Sequence, residues 1–230
     1  MTISKIFING DSFLTKRPKD NVDTYSGLEL SNSLGLPIVD NLAGGGRGNK
    51  RVSVTTKMWC EKYPEKASNT FFVIGFSSGT RFDYPTNDGY KKQKFPSLET
   101  TWKTFKPQSG ETEQIFFKEL FSRGMDLNQL IQIESLENIV SLQNYLQVKK
   151  YPYIFFKTIS DPEITTADVR FLTNAVNQKR FFHFGKSHLD YIIEKDLIAN
   201  KEDPHPSTQG HEEWANMLKE FIDANNLLTI

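Results

Sequence analysis

A serine and a histidine near opposite ends of the chain have the neighbours that nucleophilic catalysis requires. Ser12 follows an apolar run at residues 6–8 in an Asn-Gly-Asp-Ser segment, and His205 lies in an Asp-Pro-His-Pro segment. The apolar run indicates a short buried strand that ends in a tight turn. A serine hydroxyl needs a histidine base within hydrogen-bond reach, and that base needs a third group to orient it. The pair therefore predicts a serine hydrolase, although Gly, Asp and Ser are also common turn residues.

Two carboxylates precede the histidine closely enough to orient its imidazole. Glu202 stands three positions before His205, and Asp203 stands two positions before it. We favour Asp203 because its shorter side chain loses less rotamer freedom when it is held in place. Glu202 remains the alternative acid.

Four segments of the chain, in the right order, resemble the sequence blocks of the SGNH (GDSL-type) hydrolase family. The first carries the family's nucleophile, the second an oxyanion-hole glycine, the third a strand that enters the site, and the fourth the catalytic histidine. These segments are residues 10–12, 41–51, 71–78 and 203–211. With the first strand they span residues 6 to 211, which is nearly the whole chain.

The resemblance implies a mechanism and a fold. Ser12 would be the nucleophile and His205 the base, and the backbone amides of Ser12 and Gly46 would donate to the oxyanion. The family's fold is a flavodoxin-like, three-layer α/β/α sandwich, and its members hydrolyse esters. The leading hypothesis is thus an esterase that acts on O-acyl groups of a carbohydrate or of a similar small molecule.

The third block departs from the family pattern at one position. The family has Gly-x-Asn-Asp there, whereas this chain has Gly-Phe-Ser-Ser, so Ser77 stands where an asparagine amide would donate to the oxyanion. A hydroxyl can also donate, but its reach is shorter and its rotor is not fixed. In a protease precedent the loss of one such donor costs about 10²–10³ in turnover. We therefore expect weak activity or another donor.

Four further residues are predicted to support the site. Asp11 is expected to shape the turn before Ser12. Ser77 followed by Arg81 is similar to a branch of the family, common in phage and marine microbial proteins, in which serine and arginine replace the asparagine. Asn49 and Arg51 also fit that branch. Arg51 is predicted either to bond the carbonyls of the Gly46 loop or to be a surface charge.

Composition sets the broad class of the protein. The chain has 230 residues, a formal net charge of zero and 37% apolar residues, which fits one soluble α/β domain and gives no sign of nucleic-acid binding or disorder. The single cysteine, Cys60, excludes an intramolecular disulfide. No His or Cys spacing is typical of metal ligands, so no metal or cofactor is expected, and the other three histidines are predicted to be structural.

Neither a signal segment nor an apolar stretch of membrane-spanning length is visible in the sequence. No membrane partner is expected, and a cytoplasmic location fits best. A virion component or a protein released by lysis would also lack such a signal.

The elements that must position these residues alternate between strand and helix patterns, which predicts a doubly wound, mostly parallel sheet of five strands. We expect one domain over residues 1–230. The predicted strands are 6–8, 37–42, 70–76, 153–159 and 180–184. The predicted helices are 25–34, 49–62, 111–148 divided near Gly124, 165–178 capped by Thr165, 188–198, and one that starts near Ser207.

Residues 80–110 do not fit the alternation and are predicted to be an inserted loop. Loops longer than about fifteen residues are uncommon and are usually functional or disordered. This one is rich in aromatic residues and lysine. It is interpreted as a lid or substrate-binding wall whose aromatic faces would suit a sugar, or equally as a homo-oligomer contact or a segment folded on the body.

A hypothesis from another class stays open. The altered third block and the long aromatic loop leave room for a non-catalytic binding or structural protein of the same fold, such as a virion or host-interaction component, because fold alone does not secure function.

Overall fold

The computed structural model describes residues 2–86, 101–106, 110–161 and 166–228. The helices and strands are numbered in chain order. The strands are β1 (Lys5–Asn9), β2 (Ile38–Asn41), β3 (Thr70–Phe76), β4 (Phe82–Thr86), β5 (Thr101–Phe105), β6 (Tyr153–Lys157) and β7 (Phe181–Phe182). The helices are α1 (Ser26–Leu34), α2 (Asn49–Lys62), α3 (Pro64–Ala67), α4 (Glu111–Ser122), α5 (Leu127–Val148), α6 (Ala167–Ala175), α7 (His188–Glu194) and α8 (Thr208–Ala224).

The main sheet is parallel throughout and has the order β2-β1-β3-β6-β7. Helices cover both of its faces, and the strands are therefore nearly continuous apolar runs. On one face Phe7 and Phe72 pack with Trp59 of α2 and Leu142 of α5. On the other face Ile8 and Val73 pack against helices α1 and α8. The three-layer α/β/α fold predicted from the sequence is confirmed.

The strand register brings the sequence blocks to one edge of the sheet. Asn9 pairs with Ile74 across β1 and β3, and Ile8 pairs with Asn41 across β1 and β2. The segments that follow these three strands therefore leave the sheet side by side at its carboxyl edge. In open α/β sheets this edge is where ligands bind.

Several predicted boundaries are confirmed. Helix α2 and strand β3 have the predicted bounds. Helix α1 ends at Leu34, before the left-handed Gly35 (φ 65°), and Gly124 (φ 86°) lies between α4 and α5. Ser207 caps α8 by accepting a hydrogen bond from the Gly210 N–H.

Other boundaries were wrong at element ends. The predicted strand 180–184 is limited to Phe181–Phe182, because Gln178–Arg180 forms a 3₁₀ turn and His183 is left-handed (φ 46°). The strands predicted at 37–42 and 153–159 are shorter, and helix 188–198 ends at Glu194 because Asp196 adopts a left-handed conformation (φ 53°).

The helix predicted over 165–178 runs only from Ala167 to Ala175. Thr166 caps it by accepting a hydrogen bond from the Val169 N–H. The predicted cap, Thr165, lies outside the described residues.

The prediction of a loop over residues 80–110 was wrong at both ends of that segment. Strands β4 and β5 pair antiparallel from Phe82 opposite Phe105 to Thr86 opposite Thr101. Their alternation of aromatic and polar residues is a strand pattern, which the neighbouring lysines and prolines obscured. Residues 87–100 and 107–109 lie outside the described part of the chain. Within the described ranges, no helix is both long enough and apolar enough to span a bilayer.

Candidate active site

Local backbone contacts fix the turn that presents Ser12. Residues Ser12–Leu14 form a 3₁₀ turn, and the Asp11 carboxylate caps it by accepting a hydrogen bond from the Phe13 N–H at 3.0 Å. The turn lies against β3 so closely that a Cβ at Gly10 would stand 2.7 Å from the Gly75 carbonyl oxygen. Only glycine fits there, which explains the residue before Asp11.

The side chain of Ser12, near the start of the chain, contacts that of His205, near its end. The Ser12 Oγ lies 2.8 Å from the His205 Nε2. His205 is in the loop before α8, its backbone carbonyl accepts a hydrogen bond from the Ala199 N–H, and its ring packs 4.9 Å from the Phe13 ring. If the serine hydroxyl donates to Nε2, the imidazole carries its proton on Nδ1.

Asp203, and not Glu202, faces the second imidazole nitrogen. The His205 Nδ1 lies 3.1 Å from the Asp203 Oδ1 and 3.2 Å from the backbone oxygen of the same residue, so one N–H is shared between two acceptors. Glu202 is exposed, and its backbone N–H donates to the Asn200 Oδ1. In the described residues no contact joins Glu202 to His205.

Two cations that the sequence analysis did not identify hold the Asp203 carboxylate. The Arg17 guanidinium donates to its Oδ2 at 2.6 Å and the Lys19 ammonium donates to the same oxygen at 3.0 Å. These hydrogen bonds hold the pKa of Asp203 well below its usual range. Burial lowers the pKa of His205, and the charge of Arg17 lowers it further. The imidazole is consequently neutral near pH 7, as a general base must be.

The loop that carries Gly46 lies against the Ser12 turn. The Gly44 N–H donates to the Gly10 carbonyl at 3.2 Å, and the Asn41 side chain donates to the Leu14 carbonyl at 3.0 Å. Gly46 itself is left-handed (φ 73°). Within the described part of the chain, the amide N–H groups of Ser12 and Gly46 donate to no hydrogen bond, which leaves both free for a ligand oxygen.

Ser77 directly follows β3 at the same edge of the sheet. Its side chain is fully buried, and its hydroxyl has no hydrogen-bond partner among the described residues. Its backbone carbonyl accepts a hydrogen bond from the Asn49 amide at 2.9 Å, and the same amide donates to the Ser135 hydroxyl. Asn49, predicted to support the site, thus holds the end of β3. The role of Ser77 as an oxyanion donor stays a prediction.

Arg81 connects the first two sequence blocks. Its guanidinium donates to the Asp11 Oδ2 at 2.9 Å and to the Arg47 carbonyl at 3.3 Å. The Asp11 Oδ2 also accepts a hydrogen bond from the Thr158 hydroxyl at 2.9 Å, so the residue that follows β6 holds this carboxylate as well. Asp11 and Arg81 therefore have the contacts that supporting residues need.

The interpretation of Arg51 as a surface charge was wrong, and its role as a supporting residue stays a prediction. Arg51 is 4% exposed, so it is not a surface charge, and its backbone N–H donates to the buried Asp83 carboxylate. The carbonyls of the Gly46 loop are bonded instead by Arg47, which donates to the Leu42 carbonyl, and by Arg81. Burial lowers the pKa of Arg47 to about 9. Arg47 lies inside the loop and can fold back on it, whereas Arg51 already belongs to α2.

Two of the remaining histidines form hydrogen bonds to neither Ser12 nor His205 in the described residues. His211 and His188 are fully buried, and the His188 ring stacks on Trp214 with centroids 4.4 Å apart. The His211 Nδ1 accepts from the Ser26 N–H at 3.2 Å. Their structural role agrees with the sequence interpretation.

Comparison with known proteins gives matches among solved structures only; neither the protein-family models nor the curated proteins match the chain. TesA matches with a TM-score of 0.52 at 12% identity, covering 96% of this chain and 99% of that chain. The lipase Lip_vut3 from a goat rumen metagenome matches with a TM-score of 0.50 at 9% identity, covering 95% and 97%. AlinE4, an SGNH-hydrolase family esterase, matches with a TM-score of 0.46 at 15% identity, too low a score to argue from. The matches to TesA and Lip_vut3 confirm the predicted three-layer α/β/α fold, and the resemblance to the SGNH family and its phage branch stays a prediction.

Proposed function

We propose that this chain is a serine ester hydrolase of the SGNH type. One observation carries the proposal: the Ser12 Oγ lies 2.8 Å from the His205 Nε2, while the Asp203 carboxylate lies 3.1 Å from the opposite ring nitrogen. This is the arrangement in which a serine becomes a nucleophile at neutral pH. The lipase Lip_vut3 shares the fold at a TM-score of 0.50.

The proposed reaction has two halves. Ser12 attacks the ester carbonyl as His205 takes its proton, and the imidazolium then protonates the departing alcohol, which leaves an acyl-serine. In the second half a water molecule attacks the acyl carbonyl as His205 takes its proton. The second tetrahedral intermediate then breaks its bond to the Ser12 Oγ, which takes the proton back from the imidazolium, and the acid is released. Asp203 stabilises the imidazolium in both halves.

The oxyanion of each intermediate is proposed to bind the amides of Ser12 and Gly46. Their N–H groups donate to no other acceptor in the described residues, so no existing bond has to break. Donors that are fixed before the reaction stabilise developing charge without reorganisation. Ser77 is the proposed third donor.

Substitution of the nucleophile tests the proposal. Ser12→Ala should abolish hydrolysis of p-nitrophenyl acetate and labelling by a fluorophosphonate probe, while circular dichroism and the melting temperature stay unchanged. Thr15→Ala is a matched control, because this nearby hydroxyl donates to the Ser12 carbonyl and not to His205. Hydrolysis that persists in Ser12→Ala would contradict the mechanism.

The non-catalytic alternative makes the opposite prediction for the same probe. A binding or virion protein that only keeps the fold should show no labelling at Ser12 in a folded sample. The hydrogen bonds from Arg17 and Lys19 to Asp203 favour the enzyme hypothesis. They hold a carboxylate beside the imidazole of His205, and a protein that only binds a ligand does not require one there.

A carbohydrate remains the proposed alcohol of the ester. This assignment rests on the sequence of residues 80–110, which is rich in aromatic and lysine residues that suit a sugar. Release of the acid from acylated oligosaccharides, compared with simple alkyl esters of the same acid, tests this assignment.

A further inference from the structure

A cavity of about 550 Å³ lies between the start of α2, the β4–β5 pair, α4 and α5 in the described part of the chain. Its walls are mainly apolar and come largely from the inserted segment and α4. The apolar side chains that line it are Phe82, Phe105, Phe116, Phe117, Leu120 and Leu130. Nothing in the mechanism above uses this space.

The cavity borders the active site without including the reacting groups. Neither Ser12 nor His205 lines it, but Arg81 and Asn49 do. Arg81 donates to Asp11, next to the nucleophile, and Asn49 donates to the carbonyl of Ser77. Arg81 and Asn49 therefore line the cavity and also hold the Ser12 turn and the residue that follows β3.

We propose that this cavity binds the acyl group of the ester substrate, an aliphatic or aryl group longer than acetyl. The inference rests on the proposed esterase function and specifies its substrate class. An acetyl group attached at Ser12 has only one methyl carbon beyond the reacting carbonyl, and Ser12 does not line the cavity, so an acetyl group would leave it unfilled. A longer apolar acyl group can reach the aromatic walls, where its transfer from water is favourable.

Burial of each methylene sets the size of the expected effect. Transfer of one CH₂ from water to an apolar site corresponds to up to about a fourfold increase in affinity. Activity should thus depend weakly on acyl length for the shortest chains, then rise by up to about fourfold per added methylene once the chain enters the cavity.

Helix α4 offers a matched pair of variants. Phe116 lines the cavity and is 52% exposed, whereas its neighbour Ile115 is 61% exposed and does not line it. Both Phe116→Asp and Ile115→Asp introduce the same charge at a half-exposed position of one helix, and both should fold. Only Phe116→Asp places a carboxylate at the apolar wall.

The experiment measures kcat/KM for p-nitrophenyl esters from acetate to decanoate, and for acetate esters of alcohols of increasing length. We expect a rise along the acyl series only. The decanoate-to-acetate ratio should fall by about tenfold or more in Phe116→Asp and stay at the wild-type value in Ile115→Asp. A flat acyl series, a rise along the alcohol series alone, or equal effects of the two variants would overturn the proposal.

A binding measurement separates this inference from the proposed function. Calorimetric titration of the Ser12→Ala variant with decanoate, the acid that hydrolysis would release, should show binding that Phe116→Asp weakens and Ile115→Asp does not. If no ester is hydrolysed but decanoate binds in this pattern, the esterase proposal fails and the cavity assignment stands. If esters are hydrolysed without dependence on acyl length and decanoate does not bind, the cavity assignment alone fails.

Discussion

The two oxygens of the Asp203 carboxylate have different partners. Oδ2 accepts from Arg17 and Lys19, which leaves Oδ1 to face the His205 Nδ1 at 3.1 Å. The cations therefore fix the side chain in the orientation that a triad acid needs. Because Arg17 also lowers the pKa of His205, the same contact that orients the acid reduces the basicity of the imidazole.

Substitution of each carboxylate separates the two candidate acids. Asp203→Asn should lower kcat by about 10²–10⁴, because the imidazole loses its orientation and the stabilisation of its charged form. Glu202→Gln should leave kcat unchanged, because Glu202 is exposed and does not contact the ring. Steady-state hydrolysis of an activated ester is the measurement, and similar losses in the two variants would reject Asp203 as the acid.

Removal of Arg17 should move the pH profile. Because its charge lowers the pKa of His205, Arg17→Met should raise that pKa and shift the acid limb of kcat/KM to higher pH. Lys16→Met is the control, since Lys16 is exposed and is not one of the two cations bound to Asp203. An acid limb that does not shift in Arg17→Met, or that shifts equally in both variants, would show that the charge of Arg17 does not set the pKa of His205.

Two adjacent serines allow a test of the third oxyanion donor. Ser77→Ala should slow turnover by about 10²-fold if its hydroxyl donates to the oxyanion, without loss of stability, because that hydroxyl bonds nothing in the described residues. Ser78→Ala removes an acceptor of hydrogen bonds from Thr80, so it should lower the free energy of unfolding by about 1 kcal/mol and leave turnover unchanged. Kinetics and urea unfolding of both variants check this crossed pattern; an unchanged kcat in Ser77→Ala excludes the role.

A single residue could be predicted when the short sequence segment around it indicates its role. Ser12, His205 and Gly46 belong to short segments that resemble family blocks, so their positions could be read directly. Arg17 and Lys19 could not, because their partner Asp203 lies 186 and 184 residues away and no local spacing records such a contact.

At the scale of elements, hydrophobic periodicity predicted the buried strands of the sheet correctly. It was wrong for the edge strand of the sheet and for the strand pair outside it. Strands β1 and β3 are buried by helices on both faces and so carry continuous apolar runs. Strand β7 has two residues at the edge of the sheet, and its length depends on the 3₁₀ turn before it and on the left-handed His183. Strands β4 and β5 form a pair outside the main sheet, where tertiary contacts decide strand formation.

Asp83 attaches that pair to the body of the protein. It is 4% exposed, its Oδ2 accepts from the Arg51 N–H at the start of α2, and its Oδ1 accepts from the Thr104 hydroxyl on β5 at 2.6 Å. One carboxylate thus joins α2, β4 and β5 beside the cavity. Its burial also raises its pKa.

Loss of this carboxylate should destabilise the protein more than loss of one of its bonds. Asp83→Ala leaves buried donors and the buried Arg51 without their anion, so it should lower the free energy of unfolding by about 3 kcal/mol or more. Thr104→Val removes a single hydrogen bond and should cost about 1 kcal/mol. Urea unfolding measures both, and equal losses would show that Asp83 does not join the three elements.

At the scale of the whole molecule, buried histidines occupy the layer that α1, α7 and α8 form below the sheet. His211 bonds Ser26 of α1, and His188 of α7 stacks on Trp214 of α8. Burial lowers the pKa of His211 to about 3 and that of His188 well below its ordinary value of 6.5. The folded protein therefore keeps both rings neutral at pH values where the unfolded chain is protonated.

This difference predicts a loss of stability in mild acid. Below about pH 6.5 the unfolded state binds protons that the folded state excludes, so the free energy of unfolding should fall with pH, by up to about 1.4 kcal/mol per pH unit for each histidine. The raised pKa of Asp83 acts in the opposite direction, because this carboxyl binds a proton at a higher pH in the folded state than in the unfolded state.

Urea unfolding from pH 7.5 to 5.0 measures the slope of the free energy of unfolding against pH. His211→Gln, which removes one titrating ring and keeps a side-chain acceptor near Ser26, should make the slope shallower; an unchanged slope would mean that acid acts elsewhere in the fold.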